Sequence, residues 1–111
     1  MNSKNKIAIA IDEDGQIWKG HFGIAPYYLI YDNNKSFIEK RLNPYGAKSE
    51  KHSHHDNPKL IINFLSDCKI FVGKRMGRES EIKLKQNFGI EAFLTDIAEP
   101  ETVIGKLNFN D

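Results

Sequence analysis

Tyr27-Tyr28-Leu29-Ile30-Tyr31-Asp32-Asn33-Asn34-Lys35-Ser36-Phe37-Ile38-Glu39-Lys40-Arg41-Leu42 is the stretch whose reading decides the architecture. Its first five residues are aromatic or branched, types that suit a pleated, half-buried surface, and they predict a strand over 27–31. Asp32 to Lys35 is turn chemistry, because short polar side chains bond their own backbone and tolerate left-handed conformations. Ser36 to Leu42 predicts a return strand, with Ile38 and Leu42 on one face and Glu39 and Arg41 on the other. A turn this short joins its strands antiparallel. Upstream, Lys6 to Ile11 alternates Ile with Ala, a compact apolar run that reads as a buried strand. Asp12-Glu13-Asp14-Gly15 turns the chain into a short extended piece at 16–18 and an irregular loop over 20–26.

Downstream the pattern changes from hairpins to alternation. Residues 43–56 form a long polar connection holding Pro44, Gly46 and three histidines. Loops longer than about 12–15 residues in compact domains are often functional. Asp56 or Asn57 as an N-cap, with Pro58 in the first turn, predicts a helix over about 57–66 whose Leu60, Ile61, Phe64 and Leu65 share a face. A strand over 69–73 follows, then a glycine-flanked loop over 73–77 and a helix over about 78–87 that Gly89 ends in a left-handed cap. A strand over 90–95 precedes a last helix opened by Pro100, with Val103, Ile104 and Leu107 facing inward. Strands that follow helices pair parallel through right-handed crossovers. The predicted fold class is therefore α/β, ribonuclease H-like: a mixed five-stranded sheet of three antiparallel-paired strands and then βαβ units, with flanking helices.

Composition narrows the function classes. At 111 residues the chain reads as a single domain spanning 1–111. No apolar run approaches the roughly 20 residues of a membrane helix. The five apolar residues Ile7 to Ile11 are too few for a signal peptide, so a cytoplasmic protein with no membrane partner is expected. Sixteen basic and fifteen acidic residues give a net charge of +1, whereas a nucleic-acid-binding domain shows a basic excess. The charge is uneven: residues 69–88 carry six basic and two acidic side chains, and residues 89–111 one basic and five acidic. One cysteine, Cys68, rules out an internal disulfide and a cluster ligated by four thiolates of this chain, and reads as a small buried hydrophobe.

Three features can carry chemistry. His52-Ser53-His54-His55 offers imidazoles that suit Zn, Ni or Fe, with His52 and His54 projecting the same way in an extended loop; a solvated polar loop is the competing reading. His21-Phe22-Gly23 places an imidazole between glycines 20 and 23, with Phe22 able to anchor the loop in the core; a loop histidine bonded to a carbonyl is the alternative. Gly73-Lys74-Arg75-Met76-Gly77 joins a strand to a helix, where backbone N–H groups and basic side chains attract anions. Its spacing is that of neither a Walker loop nor a dinucleotide-binding turn.

Together these pieces resemble a known family. The run from His21 through Pro26 to Asp32 is similar to the histidine-phenylalanine-glycine signature of the dinitrogenase iron–molybdenum cofactor biosynthesis family. Leu65 to Gly73, continuing to Gly77, resembles its later strand and glycine loop, and Phe88 to Phe93 resembles the segment after its second helix. The likeness covers about residues 6–95. It implies a ribonuclease H-like fold and a non-enzymatic carrier of an iron–sulfur or iron–molybdenum type cluster, or of its precursor, exchanging with metallocluster donor and acceptor proteins. It implies His21 as a cluster ligand, Phe22 and Gly23 as the shape of its loop, and Gly73 and Gly77 as the frame of the opposite wall, within which this sequence places Lys74, Arg75 and Met76. The Lys-Arg-Met centre of that wall is more basic than the small-residue pattern of the family. Two other functions compete. One is a simple Zn or Ni site through His52, His54 and His55 alone, in which His21, the metal ligand of the carrier reading, takes no part. The other is a metal-dependent nuclease or phosphotransferase using Asp12 and Glu39, for which residues 69–78 supply no third acid. A monomer or weak homodimer is expected.

Overall fold

The computed structural model describes residues 5–43 and 63–107. Five strands, β1 (Lys6–Ile11), β2 (Tyr27–Tyr31), β3 (Phe37–Leu42), β4 (Cys68–Gly73) and β5 (Glu91–Leu94), form one sheet in the order β3-β2-β1-β4-β5. β1 and β2 pair antiparallel, as do β2 and β3, while β1–β4 and β4–β5 are parallel. Helix α1 (Arg78–Lys83) runs on into a π-helical turn over Leu84–Phe88, and helix α2 (Pro100–Lys106) closes the described chain. Gly89 takes the left-handed cap with φ 68°. Among the described residues no helix is long and apolar enough to cross a membrane.

The alternation in β1 explains the layering. Successive side chains of a strand point to opposite faces. Ala8 and Ala10 therefore share one core with Phe22, Tyr28, Phe71 and Leu84, while Ile7, Ile9 and Ile11 share the other with Val72, Val103 and Ile104. The small alanines lie beside the bulkiest neighbours: Ala10 pairs with Tyr28 and Ala8 with Phe71. That leaves room on the first face for a layer of rings, and on the second face α2 packs its Val103 and Ile104.

One turn device is used twice. Asp12 Oδ1 accepts the N–H groups of Asp14 and Gln16 at 2.8 and 3.0 Å, and Asp32 Oδ1 accepts those of Asn34 and Ser36, both at 2.9 Å. The fourth residue of each turn is left-handed, Gly15 at φ 88° and Lys35 at φ 69°.

Differences from the sequence reading are local. The strand expected over 69–73 starts one residue earlier, at Cys68, and that expected over 90–95 is trimmed to Glu91–Leu94. The loop over 20–26 contains a 3-10 turn at Phe22–Ile24. β3 carries a bulge, because Ile30 pairs with Glu39 but Tyr31 with Phe37, leaving Ile38 as the extra residue. Phe37, Ile38 and Leu42 are 55%, 42% and 66% exposed, so the apolar side chains of this strand are not a buried face. Of the helix expected over 57–66, Asn63 and Phe64 are helical and 65–67 form a turn. Its earlier residues, and the connection 43–56 after Asn43, lie outside the described residues.

Candidate functional site

The His21 loop and the Gly73–Gly77 loop meet at the carboxyl end of β4. His21 and Arg75 form an isolated parallel bridge, and the Phe22 N–H donates to the Arg75 carbonyl at 2.8 Å. Two segments more than fifty residues apart in sequence are thus tied backbone to backbone. The carboxyl ends of strands are where ligand crevices of α/β sheets lie.

Phe22 sets the position of its loop. It is 2% exposed, stacks on Phe71 with ring centroids 4.6 Å apart, and leans on Tyr28 at 5.0 Å. Gly73 leaves the ring uncrowded, since a Cβ there would lie 3.2 Å from Phe22 Cδ1, a contact the ring could take only by shifting a few tenths of an ångström. The Tyr28 hydroxyl donates to the Phe22 carbonyl at 2.6 Å. Burial pushes the Tyr28 pKa well above the usual phenol range, so the group stays a neutral donor. Asn43 completes the support: its Nδ2 donates to the Ala25 carbonyl at 2.8 Å and lies 3.1 Å from the Tyr28 hydroxyl oxygen and 3.2 Å from the Gly23 carbonyl. Its own N–H donates to Pro26 at 2.9 Å.

With Phe22 buried, His21 is left exposed beside the exposed Arg75, and Lys74, Met76 and Gly77 are half-buried. Met76 packs against the first core with Trp18. The indole Nε1 of Trp18 is buried and has no hydrogen-bond partner among the described residues; a Cβ on Gly20 would meet it at 2.7 Å. The positive charge of this wall comes from Lys74 and Arg75 themselves, because α1 is only six residues long.

Of the residues singled out from sequence, His21, Phe22, Gly73 and Arg75 are brought together directly. His52, His54 and His55 lie outside the described residues. Among the described residues no three His, Cys, Asp or Glu side chains gather as a metal site. Asp12 is engaged in its turn, and Glu39 accepts from Arg41 at 2.8 Å. Cys68 is fully buried at the amino end of β4, the far end of that strand from Gly73, and burial pushes its thiol up to about 12. Sequence reasoning missed Asn43, and missed that Gly20 packs under the Trp18 indole. The signal for Asn43 is an Asn-Pro pair closing a strand; the sequence offers Gly20 for a tight turn and close approach to a ligand.

An open groove of about 560 Å³ lies on the second face, lined by Leu29, Tyr31, Phe37 and Ile104 together with Lys35 and Glu101. It is separate from the two-loop ledge, whose Phe22 belongs to the first face.

The fold and ledge define a class: a mixed five-stranded sheet that presents one histidine loop against one basic glycine loop. The model of the dinitrogenase iron–molybdenum cofactor family matches residues 5–108, and the chain belongs to that family. Two solved structures are similar in fold. One is the crystal structure of PH0822, with a TM-score of 0.65 at 21% identity, covering 90% of this chain and 86% of that one. The other is the NMR structure of a NifB-type protein of Thermotoga, TM1290, assigned to the DUF35 family, with a TM-score of 0.65 at 20% identity over 91% and 84%. No curated protein matches.

Proposed function

We propose that this protein is a non-enzymatic carrier of a preassembled iron–sulfur or iron–molybdenum type cluster, or of its precursor, held on the ledge between His21 and the Gly73–Gly77 loop. The observation that carries the reading is the backbone tie between His21 and Arg75, which places an exposed imidazole beside a basic loop. The family adds a role in iron–molybdenum cofactor biosynthesis, and with it donor and acceptor proteins as partners. The strand order, antiparallel on one side and parallel on the other, supports a ribonuclease H-like description.

Among the described residues the donor set suits cargo rather than a bare ion. A metal ion held by protein alone takes three or four protein ligands. A preassembled cluster brings most of its own, so one replaceable imidazole and nearby positive charge suffice. The His21 imidazole would supply a lone pair to one metal, while Lys74 and Arg75 offset the negative charge of the cluster. Phe22, Tyr28 and Asn43 hold the loop so that little ordering is needed on binding. A single ligand on an open ledge also leaves the cargo accessible to an incoming acceptor. The engagement of Asp12 by its turn and of Glu39 by Arg41 supports a carrier over divalent-metal phosphoryl chemistry.

The test is anaerobic addition of a preformed iron–sulfur cofactor precursor, followed by visible absorption, bound iron and co-elution. The wild type should bind near one equivalent. His21→Ala should weaken binding by about tenfold or more, a loss of about 1.4 kcal/mol or more, with an unchanged fold because His21 is exposed. Loss only in the triple His52/His54/His55→Ala variant would move the site off the ledge, and absence of binding by the wild type would overturn the reading. A ligating imidazole must be neutral, so binding should weaken on acidification; a flat pH profile would sink histidine ligation.

A further inference from the structure

The outer side of β3 is unpaired among the described residues, and three of the large exposed hydrophobics, Phe37, Ile38 and Leu42, sit on this one edge strand. Unpaired edges with apolar side chains are templates for adding another strand. We propose that β3 is a self-association surface: two copies of this chain pair through β3, antiparallel and edge to edge, into one continuous ten-stranded sheet.

Symmetry narrows the arrangement. A two-fold axis perpendicular to the sheet keeps each face continuous, so directly opposed residues must come from positions of the same face, and the axis must pass through a residue pair of like number. Centred on Glu39, the pairing sets Glu39 against itself and Ile38 against Lys40. Centred on Arg41, it sets Arg41 against itself and Lys40 against Leu42. Centred on Lys40, it sets Ile38 against Leu42 and Glu39 against Arg41, each twice. Only this register matches apolar with apolar and acid with base. At the axis the two Lys40 residues meet, but Lys40 Nζ lies 4.6 Å from the centroid of the Tyr27 ring of its own chain, drawn back over its own sheet. The bulge leaves Glu39 to Leu42 as the regular part of the strand, with Ile38 at its margin. A contact of one short strand is smaller than the roughly 800 Å² per partner of stable interfaces, so the association is weak and depends on concentration.

The same two-fold turns the ends of the sheet over. The two His21 ledges then face opposite ways on the ten-stranded sheet, and neither is covered. The inference therefore does not rest on the cargo, and His21→Ala should leave association unchanged.

Single-cysteine cross-linking of the full chain reads the register. Cys68 is fully buried and does not compete. Under mild oxidation Lys40→Cys should form a disulfide dimer, because position 40 meets its own copy. Phe37→Cys should link at least about tenfold more slowly, because its copy lies six positions away in register, roughly 20 Å. Adding Leu42→Lys to Lys40→Cys should abolish the fast linking, and sedimentation of the wild type should show a concentration-dependent dimer. Circular dichroism checks that each variant is folded. Equal rates at 37 and 40, meaning random collision, would overturn the proposal. So would no linking by Lys40→Cys in a folded variant, or a wild type that is monomeric up to about millimolar concentration, as when another segment of the chain covers β3.

Discussion

Lys35 and Gly15 occupy the same position of the same turn, yet only one is a glycine. A residue with a Cβ held left-handed costs roughly 1–2 kcal/mol against a helical conformation, and glycine does not carry that cost. Lys35→Gly should therefore stabilise the protein, by about 0.5–1 kcal/mol, while Gly15→Ala should destabilise it by about 1 kcal/mol; urea unfolding of the two variants reads both signs. Asn43 acts at the same scale but on the site. Its amide reaches three acceptors around the His21 loop. Removing it strands buried polar groups, each costing about 1–3 kcal/mol. Asn43→Ala should lower stability by about 2 kcal/mol and weaken cluster binding without touching a ligand. A variant as stable as the wild type would show that the amide is dispensable.

Between elements, one ion-paired network joins β3 to the turn before β4. Arg41 forks onto both oxygens of Asp67 at 2.8 and 3.1 Å, reaches Glu39, and lies 3.4 Å from the Phe64 carbonyl. Its hydrogen bonds to Asp67 hold that carboxyl below the usual aspartate range. A carboxyl whose pKa is lower folded than unfolded contributes stability that is present above the unfolded value and lost as pH falls through the folded one. The wild type should therefore lose stability below about pH 4, and Asp67→Asn should flatten that acid limb. At neutral pH the same substitution should cost about 1 kcal/mol, kept modest because Asp67 is partly solvated. Equal acid limbs in the two proteins would remove Asp67 from the account. The tie between the His21 and Gly73–Gly77 loops depends likewise on packing between elements. Gly73→Ala pushes a methyl toward Phe22 and should reduce both stability and cluster binding, the former by about 1–2 kcal/mol.

On the scale of the molecule, the sheet separates Cys68 from the histidine ledge. β4 runs from Cys68 to Gly73, so the cysteine and the ledge stand at opposite ends of a six-residue strand, roughly 17 Å apart. Cys68 is buried with its thiol pushed up to about 12. A thiol reagent should therefore label Cys68 only at the rate of unfolding, and Cys68→Ala should retain cluster binding. Fast labelling of the folded protein would show that this end of the core opens locally.

The chain by itself determined the elements and much of the topology. Alternating Ile and Ala in β1, the Asp-Asn-Asn-Lys turn, the Gly89 cap and the Pro100 helix start are local signals, and local signals survive without knowledge of distant residues. Val103, Ile104 and Leu107 face inward as their spacing predicts. Resemblance at His21-Phe22-Gly23 and across 65–77 reached the family. The bulge at Ile38, the exposure of β3, the π turn after α1 and the Asn43 bracket were not legible, because each depends on what another element presents. The site shows the same division. Residue types named His21 and the basic glycine loop as separate candidates, but their juxtaposition needed Phe22 to be buried against Phe71 over the bare Cα of Gly73. Periodicity sees neighbours along the chain, and only the folded sheet brings residue 21 beside residue 75.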